Sequence, residues 1–297
     1  MGYLYMMAGL ACGLGKGFCG KKMSVYVRVP RDAMLANTCR MLLCIAIGFL
    51  LLCVGEGAQA LAVSARMLWV SLLSGVSTAA FVVFWVLAVQ RGAYMLTDVF
   101  CTAGLILPLL VGVLFLEEGI KWTQWVGFGV LLVAVLVMCS YSTGSVKRLT
   151  PLGVLLLVLS GIGSGLSSLS QKLFVKLLPD GSSLVFNFYT YVFAAAVLLL
   201  CYLALRVRER DKPKEPFAMR AAAPYILVMA GCLFANSYFL TQAARTLDAV
   251  VLYPLSTGLA LVCSTLMSAL FFRERITAKA LLGVGMTFVA LIVINVL

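Results

Sequence analysis

Four side chains that are charged at neutral pH stand inside long apolar stretches of this sequence: Lys16, Arg40, Asp98 and Lys172. An ionised group at the centre of a lipid-embedded helix costs roughly 2.5–3.5 kcal/mol on insertion scales, so each of the four needs a partner, a route to water or a function. Asp98 sits about five residues inside its apolar run, too deep for a short carboxylate to reach water. It could meet the positive end of its own helix. It could instead bind a substrate amine or carry a coupling proton, with Tyr94 one turn earlier on the same face. Arg40 lies about six residues inside its run, roughly 9 Å at 1.5 Å per residue. Lys16 and Lys172 fall within about four residues of the end of a run, where a long side chain can reach the headgroups. Three cations against one acid point to an anionic or zwitterionic solute, such as an amino acid or organic acid, rather than a lipophilic cation.

Polar and aromatic residues in the same stretches add to this set. Asn187, Tyr189, Asn236, Tyr238 and Tyr253 could line a cavity together with Trp85, or they could serve only to hydrogen-bond helices to one another. Glu118 and Glu274 stand among Lys121, Arg273 and Arg275 at the ends of apolar runs, which favours interfacial pairing over contact with a solute. The chain has no histidine, which excludes a His-containing zinc site and a His general base. Its ten cysteines lie in or at the ends of apolar runs and never as CxxC, so they read as small packing residues. Gly15-Lys-Gly-Phe-Cys-Gly20 fits GxGxxG, but no strand precedes it and no βαβ unit follows. Those glycines serve better as surfaces that let helices approach closely.

The elements that position these groups follow from composition. With 63% hydrophobic and 11% charged residues among 297, the chain carries more apolar side chain than a water-soluble surface could hide. Apolar runs broken by charge and turn signals predict spans near 2–20, 34–54, 66–88, 93–115, 121–141, 151–172, 184–205, 222–243, 249–271 and 278–297. Only helices and closed barrels satisfy their backbone in hydrocarbon, and continuous runs rather than alternating ones decide for helices. No basic segment precedes the first run, so it is expected to be a retained helix rather than a cleaved signal peptide. The net charge of +12 is spread between the spans rather than along one soluble face, which argues against nucleic-acid binding. The polar stretch 206–216 reads as a solvated loop that touches anionic headgroups.

The sequence also repeats. Leu114 to Val137 aligns without a gap to Leu270 to Val293, with nine identities in 24 positions, among them Glu118 with Glu274, Gly127 with Gly283 and Gly129 with Gly285. Arg91 and Thr102-Ala-Gly104 match Arg245 and Ser256-Thr-Gly258, and Gly9xxxGly13xxxGly17 faces Gly161xxxGly165. The spacing of about 150 residues gives two units, 1–148 and 149–297, of five spans each. A copy that starts after five crossings enters the membrane from the opposite side, so the expected fold is all-α, with ten transmembrane helices as two inverted five-helix repeats.

A glutamate just after the fourth helix, an aliphatic residue, and then Gly-x-Gly in the next span resemble the drug/metabolite transporter superfamily, in particular its EamA-like family. The second copy, "LYPLSTGLALVCSTLMSALFFRERITAKALLGVGMTFVALIVI", follows that pattern, with Pro254 where the family carries a proline. The first copy has Phe100 at that point. Across spans 1 to 3 and 6 to 8 the likeness rests on hydropathy and on Arg40. The resemblance implies a secondary active transporter, an exporter of a small metabolite, in the bacterial inner membrane. It implies no cofactor, with a proton or sodium gradient as coupling. The expected partners are a small-molecule solute and membrane lipids, with no nucleic acid, and the chain acts as a monomer or homodimer. The candidate substrate-binding residues are Arg40, Trp85, Tyr94, Asp98, Asn187, Asn236 and Tyr253. One alternative is an exporter of lipophilic cations like the small multidrug pumps, although those depend on a glutamate in the first helix and this one has none. An intramembrane lipid-modifying enzyme would need clustered acids or histidine, and a scaffold or receptor would need an extended loop.

Orientation is contested within the sequence itself. Sixteen Lys and Arg lie in odd-numbered loops against four in even-numbered ones (Arg66, Lys121, Lys176 and Arg245), which places the odd loops in the cytoplasm and both termini outside. The resemblance implies the reverse, with both termini in the cytoplasm.

Overall fold

The computed structural model describes residues 1–23, 26–27, 29–90, 100–101, 104–115, 119, 121–140, 151–208, 217–272 and 278–296. The described residues form ten α-helices and one short 3₁₀ turn, Ala58–Leu61. In chain order they are α1 (Gly2–Met23), α2 (Pro30–Gly55), α3 (Ala65–Gln90), α4 (Ile106–Phe115), α5 (Trp122–Ser140), α6 (Pro151–Leu177), α7 (Ser183–Arg208), α8 (Met219–Ala244), α9 (Ala249–Phe272) and α10 (Ala278–Val296). Each overlaps one of the ten expected spans, α4 covering only the last ten residues of the fourth. Of the fourth span, 93–99 and 102–103 lie outside the described residues.

Two ends differ from expectation in a way that matters for the charged residues. α2 begins at Pro30, four residues before the apolar run, because a proline at the first helical position has its φ preset and lacks the N–H that would otherwise go unpaired. α6 continues to Leu177 rather than Lys172, stopping two residues short of Pro179. Arg40 therefore lies ten residues into α2, about 15 Å along its axis, and Lys172 is an interior residue of its helix. Lys16 likewise stands seven residues before the end of α1, which runs to Met23.

Helices α2, α3, α6, α7 and α8 are long and apolar enough to cross a membrane, and shorter apolar stretches fall in α4, α5, α9 and α10. α1 is glycine-rich and carries Lys16, and it packs along α8 and α9. Large apolar side chains such as Trp69, Leu200 and Phe271 are exposed, as suits a surface solvated by lipid tails. The chain is a multi-pass integral membrane protein.

The most extensive contacts are α1 with α8, α3 with α6, α5 with α10 and α2 with α7. Exchanging α1–α5 for α6–α10 turns the first pair into the second and leaves the other two unchanged. The lesser contacts α4 with α6 and α9 with α1 exchange in the same way. Three of these pairs run antiparallel. Along α1 and α8, Gly2 lies beside Thr246 and Leu247, Gly13 beside Asn236, and Gly20 beside Met229. Along α3 and α6, Thr78 meets Ser167 at 3.0 Å and the Phe81 backbone meets Gly163. Along α2 and α7, Glu56 bonds Ser182 just before α7, and Gly48 lies against Phe188.

Glycine is required where α6 meets Phe100 and Gly104, just before α4. A Cβ on Gly165 would overlap the carbonyl of Gly104, and one on Gly161 the carbonyl of Phe100, so the pattern Gly161xxxGly165 allows backbone-to-backbone approach. Gly129 and Gly285 have nothing within 4 Å, so the second glycine of each repeated Gly-x-Gly is not held there by packing within the chain.

Candidate functional site

α8 is the hub of the polar interior. Its apolar residues Ala230 and Phe234 pack into the main core with α2, α3 and α7, and an adjacent edge carries Cys232 and Asn236, with Ser237 turned toward α7. Residues three or four apart on a helix share an edge and consecutive ones do not, so one stretch of α8 can serve three neighbours. The Ser237 hydroxyl donates to Asn187 Oδ1 on α7 at 2.5 Å and accepts from Gln171 Nε2 on α6 at 3.4 Å. Asn187 is fully buried, and its amide donates to the Ser183 carbonyl at 2.8 Å. The Tyr191 hydroxyl of α7 donates to the Leu233 carbonyl at 3.2 Å. The Asn236 amide donates to the Gly9 carbonyl of α1 at 2.6 Å, and the Cys44 thiol of α2 reaches the Ala230 carbonyl at 3.4 Å.

Two cations stand against this edge. Lys16 follows Gly15, which faces the Cys232 sulfur, and Arg40 lies one turn before Cys44. The groups that act electrostatically on Lys16 are Arg40, Cys232 and Cys44, and those on Arg40 are Cys44 and Tyr191. Among the described residues no carboxylate pairs with either cation. The Nε of Arg40 is buried without a hydrogen-bond partner. A guanidinium cannot shed its charge in a protein, so Arg40 presents an unanswered positive charge in the membrane interior.

Lys172 does not reach for the headgroups. It is 7% exposed, and its ammonium donates to the carbonyls of Leu247 at 2.8 Å and Ala244 at 3.4 Å, at the C-terminal end of α8. Those carbonyls lack partners within the helix and carry its negative dipole end, so they satisfy a buried cation. Arg245, next in the chain, donates to the Pro179 and Gly181 carbonyls and to Ser183 Oγ, and its guanidinium lies over Phe174 at 5.5 Å. Together they tie the end of α8 to the turn between α6 and α7. Beside that turn, between the end of α2 and the start of α3, lies a cavity of about 300 Å³ lined by Glu56, Ser64, Met67, Leu178, Ser182 and Val185.

The residues expected from sequence fall into three groups. Arg40, Asn187 and Asn236 are brought to the α8 edge, and Trp85 of α3 packs against the same core. Tyr253 stands apart, buried in α9, its hydroxyl donating to the Ser168 carbonyl of α6 at 2.6 Å. Tyr189 likewise donates away from the hub, to the Leu61 carbonyl at 2.8 Å, and Tyr238 accepts from Gln242 within its own helix at 3.2 Å. Tyr94, Asp98, Glu118 and Glu274 lie outside the described residues. Gln171, Tyr191, Ser237 and the inward role of Lys172 were missed. Pro179 was the available signal for Lys172, since a helix stopping at that proline encloses it.

Residues 151–296 match the model of the EamA-like transporter family. Through this half the chain belongs to that family. The EamA-like chain is accordingly a membrane transporter of the drug/metabolite transporter superfamily, whose members are not enzymes. Its fold extends the likeness to the first half: a protein crystal structure superposes with a TM-score of 0.76, covering 99% of this chain and 96% of that one at 14% identity. No curated protein matches the EamA-like chain in sequence.

Proposed function

We propose that this chain is a secondary active transporter that exports a small metabolite, an amino acid or organic acid, by alternating access between two inverted repeats, 1–148 and 149–297. The observation that carries the reading is the antiparallel packing of α2 on α7, the second helix of each repeat, within a contact pattern that survives exchange of the halves. Helices in corresponding positions that run in opposite directions belong to units inserted with opposite orientation, the arrangement that lets one central site face either side in turn. The polar edge of α8 is the part of that centre able to recognise a solute. Arg40 and Trp85 act there on the solute, while Asn187 and Asn236 hold the walls and exchange partners between states, and Tyr253 contributes from α9 on a second side of the pathway. Asp98 and Tyr94 complete the set, Asp98 as the group that couples a proton or sodium gradient to movement. Lys16 and Arg40 repel a lipophilic cation, which separates this reading from a small-multidrug-type exporter.

Counterflow in proteoliposomes tests it. Vesicles loaded with an unlabelled solute that stabilises the purified protein should take up the labelled solute transiently above equilibrium, and Asp98→Asn should abolish gradient-driven accumulation while sparing exchange. A protein that binds such solutes but shows no counterflow with any of them is not a carrier.

A further inference from the structure

The hydrogen bonds around α8 account for its neutral polar groups and leave two charges over. Gly15, beside Lys16 on α1, faces the Cys232 sulfur of α8; Cys44, one turn after Arg40 on α2, reaches the Ala230 carbonyl of the same stretch; Arg40 acts electrostatically on Lys16 and keeps a buried, unpartnered Nε. Like charges in a poorly solvated interior repel, and neither is answered by a carboxylate among the described residues. The groups around them are neutral: Cys232 and Cys44 beside Lys16, and Cys44 and Tyr191 beside Arg40. A fold gains nothing from two unanswered cations in its interior. A ligand that brings the missing charge does.

We propose that Lys16 and Arg40 together form the recognition site for a dianionic oxyanion, a dicarboxylate or a phosphate monoester, carried by the transported solute. The inference rests on the transporter reading and narrows its solute. With Asp98 neutralised by the proton or sodium ion it couples, charge balance sets the number: one negative charge leaves a net cation in the membrane, a zwitterion leaves two, and a dianion leaves none. The fork of a guanidinium suits two oxygens of one carboxylate or phosphate, and the ammonium supplies a second point of attachment.

The test follows the melting of the full chain in detergent with succinate, inorganic phosphate, acetate and glycine as probes. Lys16→Gln, Arg40→Gln and Arg40→Lys are compared with a control at the exposed Arg220, Arg220→Gln. Succinate or phosphate should stabilise the wild type and the control where acetate and glycine at the same concentration do not. Response to succinate alone assigns a dicarboxylate, and response to phosphate alone a phosphate ester. Lys16→Gln and Arg40→Gln should each weaken the response at least tenfold, with Arg40→Lys in between. Without any probe, both Gln variants should melt at or above the wild type, because each removes an unanswered charge. Melting well below the wild type would make the cations part of the fold and overturn the proposal. So would equal stabilisation by glycine or acetate, or no response to any probe. Counterflow of a neutral or zwitterionic solute, unchanged in the Gln variants, would overturn it while leaving the transporter reading intact.

Discussion

Ser237 of α8 donates to Asn187 of α7 at 2.5 Å, a bond between a half-buried hydroxyl and a fully buried amide in a membrane protein. Lipid offers neither group an alternative partner, yet the unfolded chain in a membrane finds others, so such bonds contribute modestly. A double-mutant cycle of Ser237→Ala and Asn187→Ala should give a coupling of about 0.6 kcal/mol and no more than roughly 1.7 kcal/mol, read from unfolding in detergent. A coupling of zero would mean the two side chains act independently.

Close packing of α6 should matter more than any single hydrogen bond. Gly165→Leu drives a side chain into the Gly104 backbone and should destabilise the protein by about 3 kcal/mol. Gly285→Leu, at the matching Gly-x-Gly of α10, enters open space and should leave melting within about 0.5 kcal/mol of the wild type. The pair separates glycines needed for helix approach from those that share only a sequence pattern.

At the end of α8, Lys172→Met removes the donor shared by the Ala244 and Leu247 carbonyls and should lower stability by about 1–3 kcal/mol. Arg245→Lys should not preserve the clamp on Pro179, Gly181 and Ser183, since a single ammonium lacks the fork that reaches all three. Thermal unfolding of the two variants, alone and combined, checks both statements.

Antiparallel packing sets Gly2 beside Leu247, on one face of the membrane. Reporters fused after Leu247 and at Leu297 should therefore agree in sidedness, and a fusion at residue 144 should report the other side. The distribution of Lys and Arg assigns the cytoplasm to residue 144. A Leu297 fusion active only in the cytoplasm would reverse that assignment.

The ten helices were legible because lipid demands long apolar runs and charge interrupts them. Depth was less so. Reading α2 from its hydropathy placed its start at residue 34 and Arg40 about six residues inside; the helix begins at Pro30 and Arg40 lies ten residues in. The same kind of error put Lys172 at an end, when a helix reaching toward Pro179 encloses it. Prolines mark helix boundaries more sharply than hydropathy does. The convergence of Lys16, Arg40, Tyr191 and Ser237 was not legible at all, since it depends on which of ten similar helices are neighbours. No apolar periodicity separates α8 from α9 as the partner of Asn187.

The pairing of α1 with α8 and of α3 with α6 reaches beyond any one site. α1 and α3 pack most extensively on α8 and α6, so neither α1–α5 nor α6–α10 encloses its own interior. A gene cut between residues 148 and 149 would yield two chains that must meet in the bilayer to mature, an obligate heterodimer rather than a pair of modules. Linkage in one polypeptide guarantees their one-to-one supply.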